Sequence, residues 1–131
     1  MNIFILNKSP IKSAEQHCDK HVVKMIIEAA QMLSTTHRVL DGTEYQDRTK
    51  NGRRIKRWRL EENNDLFYKG VHVNHPSTIW TRQSKQNYNW HYKLFVALCD
   101  EYTYRQVISM MLVSLNFHSV CQTIVNIKIQ L

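Results

Sequence analysis

At 131 residues, with 43% hydrophobic and 22% charged positions and only 3 Gly and 2 Pro, the chain has the length and balance of one folded domain with one core. This excludes a multidomain enzyme and a disordered or collagen-like chain. The 18 Lys and Arg outnumber the 11 Asp and Glu for a net charge of +7, an excess that favours a polyanionic partner, nucleic acid first, or an anionic membrane surface, over an acidic protein surface.

Residues 3–6 (Ile-Phe-Ile-Leu) form a short apolar run that predicts one buried N-terminal strand. With no basic region before it, the run is too short for a secretory signal. Ser9-Pro10, or Ser13 with Gln16 three positions on, then starts a helix that Asp41-Gly42 should stop, about seven turns later. At 100° per residue Cys18, Val22, Met25, Ala29, Met32, Leu33 and Thr36 share one face, widened by Val23, Ile26, Ile27 and Ala30. Most of the helix should therefore be buried. A narrow polar strip remains, made of His17, Lys20, His21, Lys24, Glu28, Gln31 and Thr35, and a buried helix with one such strip is expected to line a cleft.

Residues 43–60 change character, with seven Lys and Arg against two acids, so that +5 of the chain's +7 lies here. Asn51-Gly52 is the strongest short signal for a two-residue type I′ turn and predicts strands over residues 45–50 and 53–60, followed by a polar connection over 61–70. A second helix should begin at His75-Pro76-Ser77 and run to about Tyr104. Gln83, Asn87 and His91 recur every fourth residue on its aromatic face, and with His75 they are structural or pocket polar groups that need partners, on the first helix or on a ligand. After Arg105 charge nearly vanishes: residues 106–131 contain one charged residue, Lys128. Strand, buried helix or greasy tail are all open for this stretch. Its polar interruptions exclude a membrane span.

Two groups of residues point to chemistry. The strip His17, Lys20, His21, Lys24 and Glu28 combines amines, imidazoles and a carboxylate: an amine can attack a sugar carbon to form an imine while the other groups move protons. The alternative is a hydrated face with an ordinary Lys24–Glu28 pair. The second group, Lys50, Arg53, Arg54, Lys56, Arg57, Trp58 and Arg59, joins phosphate-contacting cations to a ring able to stack on a base, against the alternative of a solvated edge hairpin. His17 and His21 have a spacing that suits zinc, but no Glu follows as in H-E-x-x-H and Cys18 points about 100° away around the helix. No metal and no cofactor are expected. Three cysteines without a C-x-x-C pair read as reduced thiols.

Two stretches resemble the pyrimidine-dimer DNA glycosylase (endonuclease V) family and its short bacteriophage and bacterial relatives. The first is Ser13-Ala14 with Cys18-Asp19-Lys20-His21-Val22-Val23-Lys24 and Glu28-Ala29-Ala30-Gln31-Met32-Leu33. The second is Asn74-His75-Pro76, Trp80, Arg82, Asn87-Tyr88, Trp90 and Leu98-Cys99-Asp100-Glu101. Together they cover about half of the chain. The resemblance implies a compact helical fold that kinks DNA, flips a nucleotide and cleaves the glycosidic bond through an imine. The family's nucleophile is the α-amine of a small residue exposed by loss of the initiator Met, assisted by a glutamate. Here the second residue is Asn2 and the helix position nearest that glutamate is Lys24, so neither catalytic group carries over.

The expectation is thus a mainly α or small α+β domain over residues 1–105, with two long helices packed together, a short N-terminal strand, a basic hairpin and a hydrophobic tail. It should act on nucleic acid, DNA before RNA, as a repair or base-modification enzyme. The alternative is a non-catalytic nucleic-acid-binding protein on the same scaffold. No membrane is expected to take part, and the location expected is the cytoplasm, that of the host if a bacteriophage encodes the chain.

Overall fold

The computed structural model describes residues 1–109. Its elements run α1 (Pro10–Glu15), α2 (Asp19–Asp41), β1 (Thr43–Arg48), β2 (Arg54–Arg59), α3 (Pro76–Gln83) and α4 (Lys85–Ser109). The protein is mainly helical with one small antiparallel hairpin. The two long helices, α2 and α4, pack together as expected. Val22, Met25, Ile26, Ala29 and Leu33 of α2 meet Leu94, Phe95 and Leu98 of α4, with Ala14 of α1 closing one end. Burying each large side chain of this kind contributes about 1.5–3 kcal/mol. Hydrogen bonding adds a tie between the same helices: His37 Nε2 lies 2.7 Å from the Tyr88 hydroxyl, and His37 Nδ1 lies 3.3 Å from Asp41 Oδ2.

The expected first helix is two helices. After Glu15 the chain turns through Gln16, His17 and Cys18 before α2 begins. The break lets His17 fold inward, where its Nδ1 lies 2.6 Å from the Ser13 carbonyl. It also frees the His17 carbonyl to accept a hydrogen bond from Arg105 Nη1 at 2.9 Å. Arg105 further bonds Asp19 and Glu101, both at 2.7 Å, pinning α4 to the α1–α2 junction. The second helix divides likewise at Ser84, whose extended backbone and side-chain oxygen cap α4 by accepting Asn87 N–H at 3.1 Å.

Residues 3–6 form no strand. Their backbone groups find side chains instead of a sheet edge: Ser13 Oγ donates to the Phe4 carbonyl and accepts from Leu6 N–H, both at 3.1 Å. Ile3 and Phe4 pack onto the core while Ile5 and Leu6 stay exposed. The expected type I′ turn is also corrected. Thr49 N–H bonds the Arg53 carbonyl and Gly52 N–H bonds the Thr49 carbonyl, leaving a three-residue loop in which Gly52 alone has positive φ, at 76°. β1 accordingly lies two residues earlier than expected at both ends, and β2 starts one residue later and ends one residue earlier, paired Thr43 with Arg59 through Arg48 with Arg54. The expected tail begins as the end of α4, and its remainder lies outside the described residues.

Candidate functional site

The hairpin carries its charges in an unequal state. Alternation places Thr43, Tyr45 and Asp47 with Ile55, Arg57 and Arg59 on one face, and Glu44, Gln46 and Arg48 with Arg54, Lys56 and Trp58 on the other. Arg57 is half-buried and its Nε donates to Asp47 Oδ2 at 2.8 Å. Lys56 Nζ lies 2.9 Å from Glu44 Oε1. Arg48, Lys50, Arg53, Arg54 and Arg59 are exposed, and none of them forms an ion pair among the described residues. Arg48 and Arg54 stand directly opposite each other, a like-charge pairing that destabilises a bare hairpin and that an anion between them would relieve. Trp58 does not project: it is half-buried at the hairpin's foot, with its ring beside Gly70. Tyr45, not singled out by the sequence, is the exposed ring on the ribbon.

On α2, Lys20, His21 and Lys24 are exposed and Glu28 is half-buried. His17 lies outside this row, buried in the helix break; among the described residues its Nε2 has no hydrogen-bond partner, and its ring sits 6.0 Å from Phe4. Phe4 also packs on the ring of His21, with centroids 4.8 Å apart. Glu28 is the meeting point. One carboxylate oxygen accepts the Asn2 backbone N–H at 2.9 Å and the other lies 3.7 Å from Lys24 Nζ. The strip therefore forms an open helix face at its start, where the chain's N-terminal segment meets it. Farther along it closes over, because Thr35 is fully buried, its hydroxyl donating to the Val71 carbonyl at 3.2 Å and accepting Val71 N–H at 3.1 Å.

The row His75, Gln83, Asn87 and His91 is divided between local duties. His75 caps α3 by accepting Ser77 N–H at 3.2 Å, Asn87 Nδ2 donates to the Trp80 carbonyl at 2.9 Å, and Gln83 is exposed. His91 is buried against Thr81 at 2.9 Å, and burial lowers its pKa to about 3. These groups hold the α3–α4 corner together.

Sequence reasoning missed Arg38. Its guanidinium is buried on α2 and donates to the carbonyls of Tyr68, Trp58, Asn64 and Phe67 and to the Asn64 side chain, at 2.6–3.0 Å. It thereby ties the foot of the hairpin and the 61–70 connection to the core. Burial lowers its pKa. An Arg one turn after Ser34 on a helix's buried face, followed by the polar connection over residues 61–70, was the available signal. Among the described residues no three His, Cys, Asp or Glu side chains gather to hold a metal, and no helix is long and apolar enough to cross a membrane. Compared with known proteins, the chain finds no matching family model, curated protein or solved structure.

Proposed function

We propose that this chain binds DNA along the basic hairpin and acts on it by amine chemistry at the start of α2, as a repair or base-modification enzyme of the glycosylase/AP-lyase type. The observation that carries the reading is the set of exposed hairpin cations left without ion pairs, Arg48, Lys50, Arg53, Arg54 and Arg59, which offers a run of phosphate contacts on one narrow ribbon. Support for the chemistry comes from the Lys24–Glu28–Asn2 cluster and from the resemblance of both long helical regions to the dimer glycosylases. At an abasic site the Lys24 amine would add to the C1′ aldehyde carbon, and loss of water would form the imine. Glu28 would then remove a C2′ proton so that the 3′-phosphate leaves by β-elimination. Lys20 and His21 extend the same exposed face by one turn. Cys18 is an exposed free thiol, in keeping with a cytoplasmic setting.

Borohydride trapping on abasic-site DNA tests the reading. The expected result is a covalent adduct that Lys24→Ala or Lys20→Ala abolishes while DNA affinity stays within about threefold, because the hairpin supplies most of the charge. An adduct that survives both changes moves the nucleophile to the chain's α-amine. Binding without an adduct favours the non-catalytic alternative, and tighter binding to RNA than to DNA overturns the choice of partner.

A further inference from the structure

A cavity of about 740 Å³ opens at the foot of the hairpin, lined by Thr43, Arg59, Leu60, Glu61, Asn63, Asn64, Asp65 and Leu66. Its size is that of a small-molecule site. Thr43 and Arg59 belong to the hairpin face that also carries exposed Tyr45, so this cavity continues that face inward. Leu60 is buried and Leu66 is 48% exposed, giving apolar surface at two levels. The polar walls are held in place from behind: Arg38 Nη1 and Leu60 N–H bond the Asn64 side-chain oxygen at 2.8 and 3.3 Å, and Asn63 takes a left-handed backbone with φ of 55°. Yet the charges in the cavity do not pair. Among the described residues Arg59, Glu61 and Asp65 form no ion pair although both signs line one space. A cation and two carboxylates that line one space without pairing suit a ligand that is anionic at one end and rich in N–H donors at the other.

We propose that this cavity is a subsite for one unpaired guanine nucleotide, with Arg59 at the mouth on its phosphate and Glu61 and Asp65 on its base. Ionised carboxylates only accept hydrogen bonds. Guanine is the natural base whose Watson–Crick edge presents two adjacent donors, N1–H and N2–H, whereas adenine, cytosine and thymine mix donors with acceptors there. The apolar surface of Leu60 and Leu66 faces the ring, and Tyr45 offers a stacking partner to the neighbouring base. The inference rests on the hairpin being the nucleic-acid interface.

Fluorescence anisotropy with short single-stranded oligonucleotides tests it. An oligothymidylate is compared with the same strand carrying one central guanine, adenine or cytosine. The guanine strand is expected to bind about tenfold more tightly than the others. The double change Glu61→Gln, Asp65→Asn should bring that ratio to about one while oligothymidylate binding holds or strengthens, which also shows that the variant is folded. Equal binding of all four strands, or a guanine preference that survives the double change, overturns the subsite and leaves the hairpin reading standing. Absence of binding to every single strand overturns the subsite, and absence of binding to duplex DNA as well overturns the hairpin reading.

Discussion

Nδ1 of His91 lies 2.9 Å from Thr81 Oγ1, and that hydroxyl already donates its one hydrogen to the Ser77 carbonyl at 2.9 Å. The imidazole is therefore the donor of the pair, neutral and protonated on Nδ1. Burial lowers its pKa from 6.5 to about 3, because a charged ring in that position would lose its hydration. The unfolded chain binds a proton below about pH 6.5 while the folded chain does not. Stability from this group is thus fully present above that pH and falls as pH drops toward the folded value, by up to about 1.4 kcal/mol per pH unit. Urea unfolding followed from neutral pH to about pH 4.5 should show this slope, and His91→Gln should lower stability at neutral pH while flattening the slope. A His91 ring resonance that titrates near about pH 6.5 would contradict the assignment.

Arg38 is expected to be the most sensitive charged position outside the α2–α4 core. Its guanidinium N–H groups reach four carbonyls and one side-chain amide, and removing it leaves buried acceptors unpaired at about 1–3 kcal/mol each where water cannot replace it. Arg38→Ala should cost roughly 3 kcal/mol or more, and Arg38→Lys should recover little, since a single ammonium cannot match the planar fork. Hydrogen exchange in both variants should rise first in residues 58–70. An Arg38→Lys variant with native stability and exchange would show that the Arg38 guanidinium does not hold residues 58–70 to the core.

Both long helices were legible because their apolar residues recur with helical period over many turns, as Val22, Met25, Ala29 and Leu33 do. Their interruptions were less so. Ser84 with Asn87 three residues later was a cap signal inside a periodic run, whereas the break at His17 comes with a local contact to Ser13 and a long-range one from Arg105. Residues 3–6 have strand composition but, among the described residues, no neighbouring strand, and the Ser13 hydroxyl takes the place of a ladder. At the candidate site, the charge of the hairpin could be read from composition. Which cations are neutralised could not, because that depends on a register set by a three-residue loop.

Two glycines near the hairpin make opposite demands. A Cβ at Gly42 would run into the Arg38 carbonyl oxygen and come within 3.2 Å of both Arg59 O and Trp58 Cβ. Gly42→Ala should therefore cost about 1–3 kcal/mol by overpacking where the chain leaves α2. At Gly52 nothing among the described residues lies within 4 Å, but φ is +76°, so Gly52→Ala should cost about 1–2 kcal/mol through backbone strain. Gly52→Asn should recover much of that, because Asn tolerates the left-handed region. Thermal unfolding separates the two cases: Gly42→Asn should stay destabilised.

The hairpin cations should contribute unequally to DNA binding. Arg57 spends its Nε–H on Asp47 at 2.8 Å and is half-buried, so Arg57→Ala removes a cation whose charge is already balanced. Arg48 and Arg54 oppose each other with no acid between them. Each of Arg48→Ala and Arg54→Ala should reduce the slope of log affinity against log salt by about 0.9 if the side chain displaces one counterion. Arg57→Ala should change the slope by well under half of that. Changing Arg48, Arg53, Arg54 and Arg59 together should cut the slope by about 3 to 4 units. Asp47→Asn supplies the converse test, since freeing Arg57 should steepen the slope. If Arg57→Ala matches Arg54→Ala, the Arg57–Asp47 pair opens on DNA and the two faces of the ribbon bind alike. If the fourfold change leaves the slope untouched, the phosphate-binding surface lies off the hairpin.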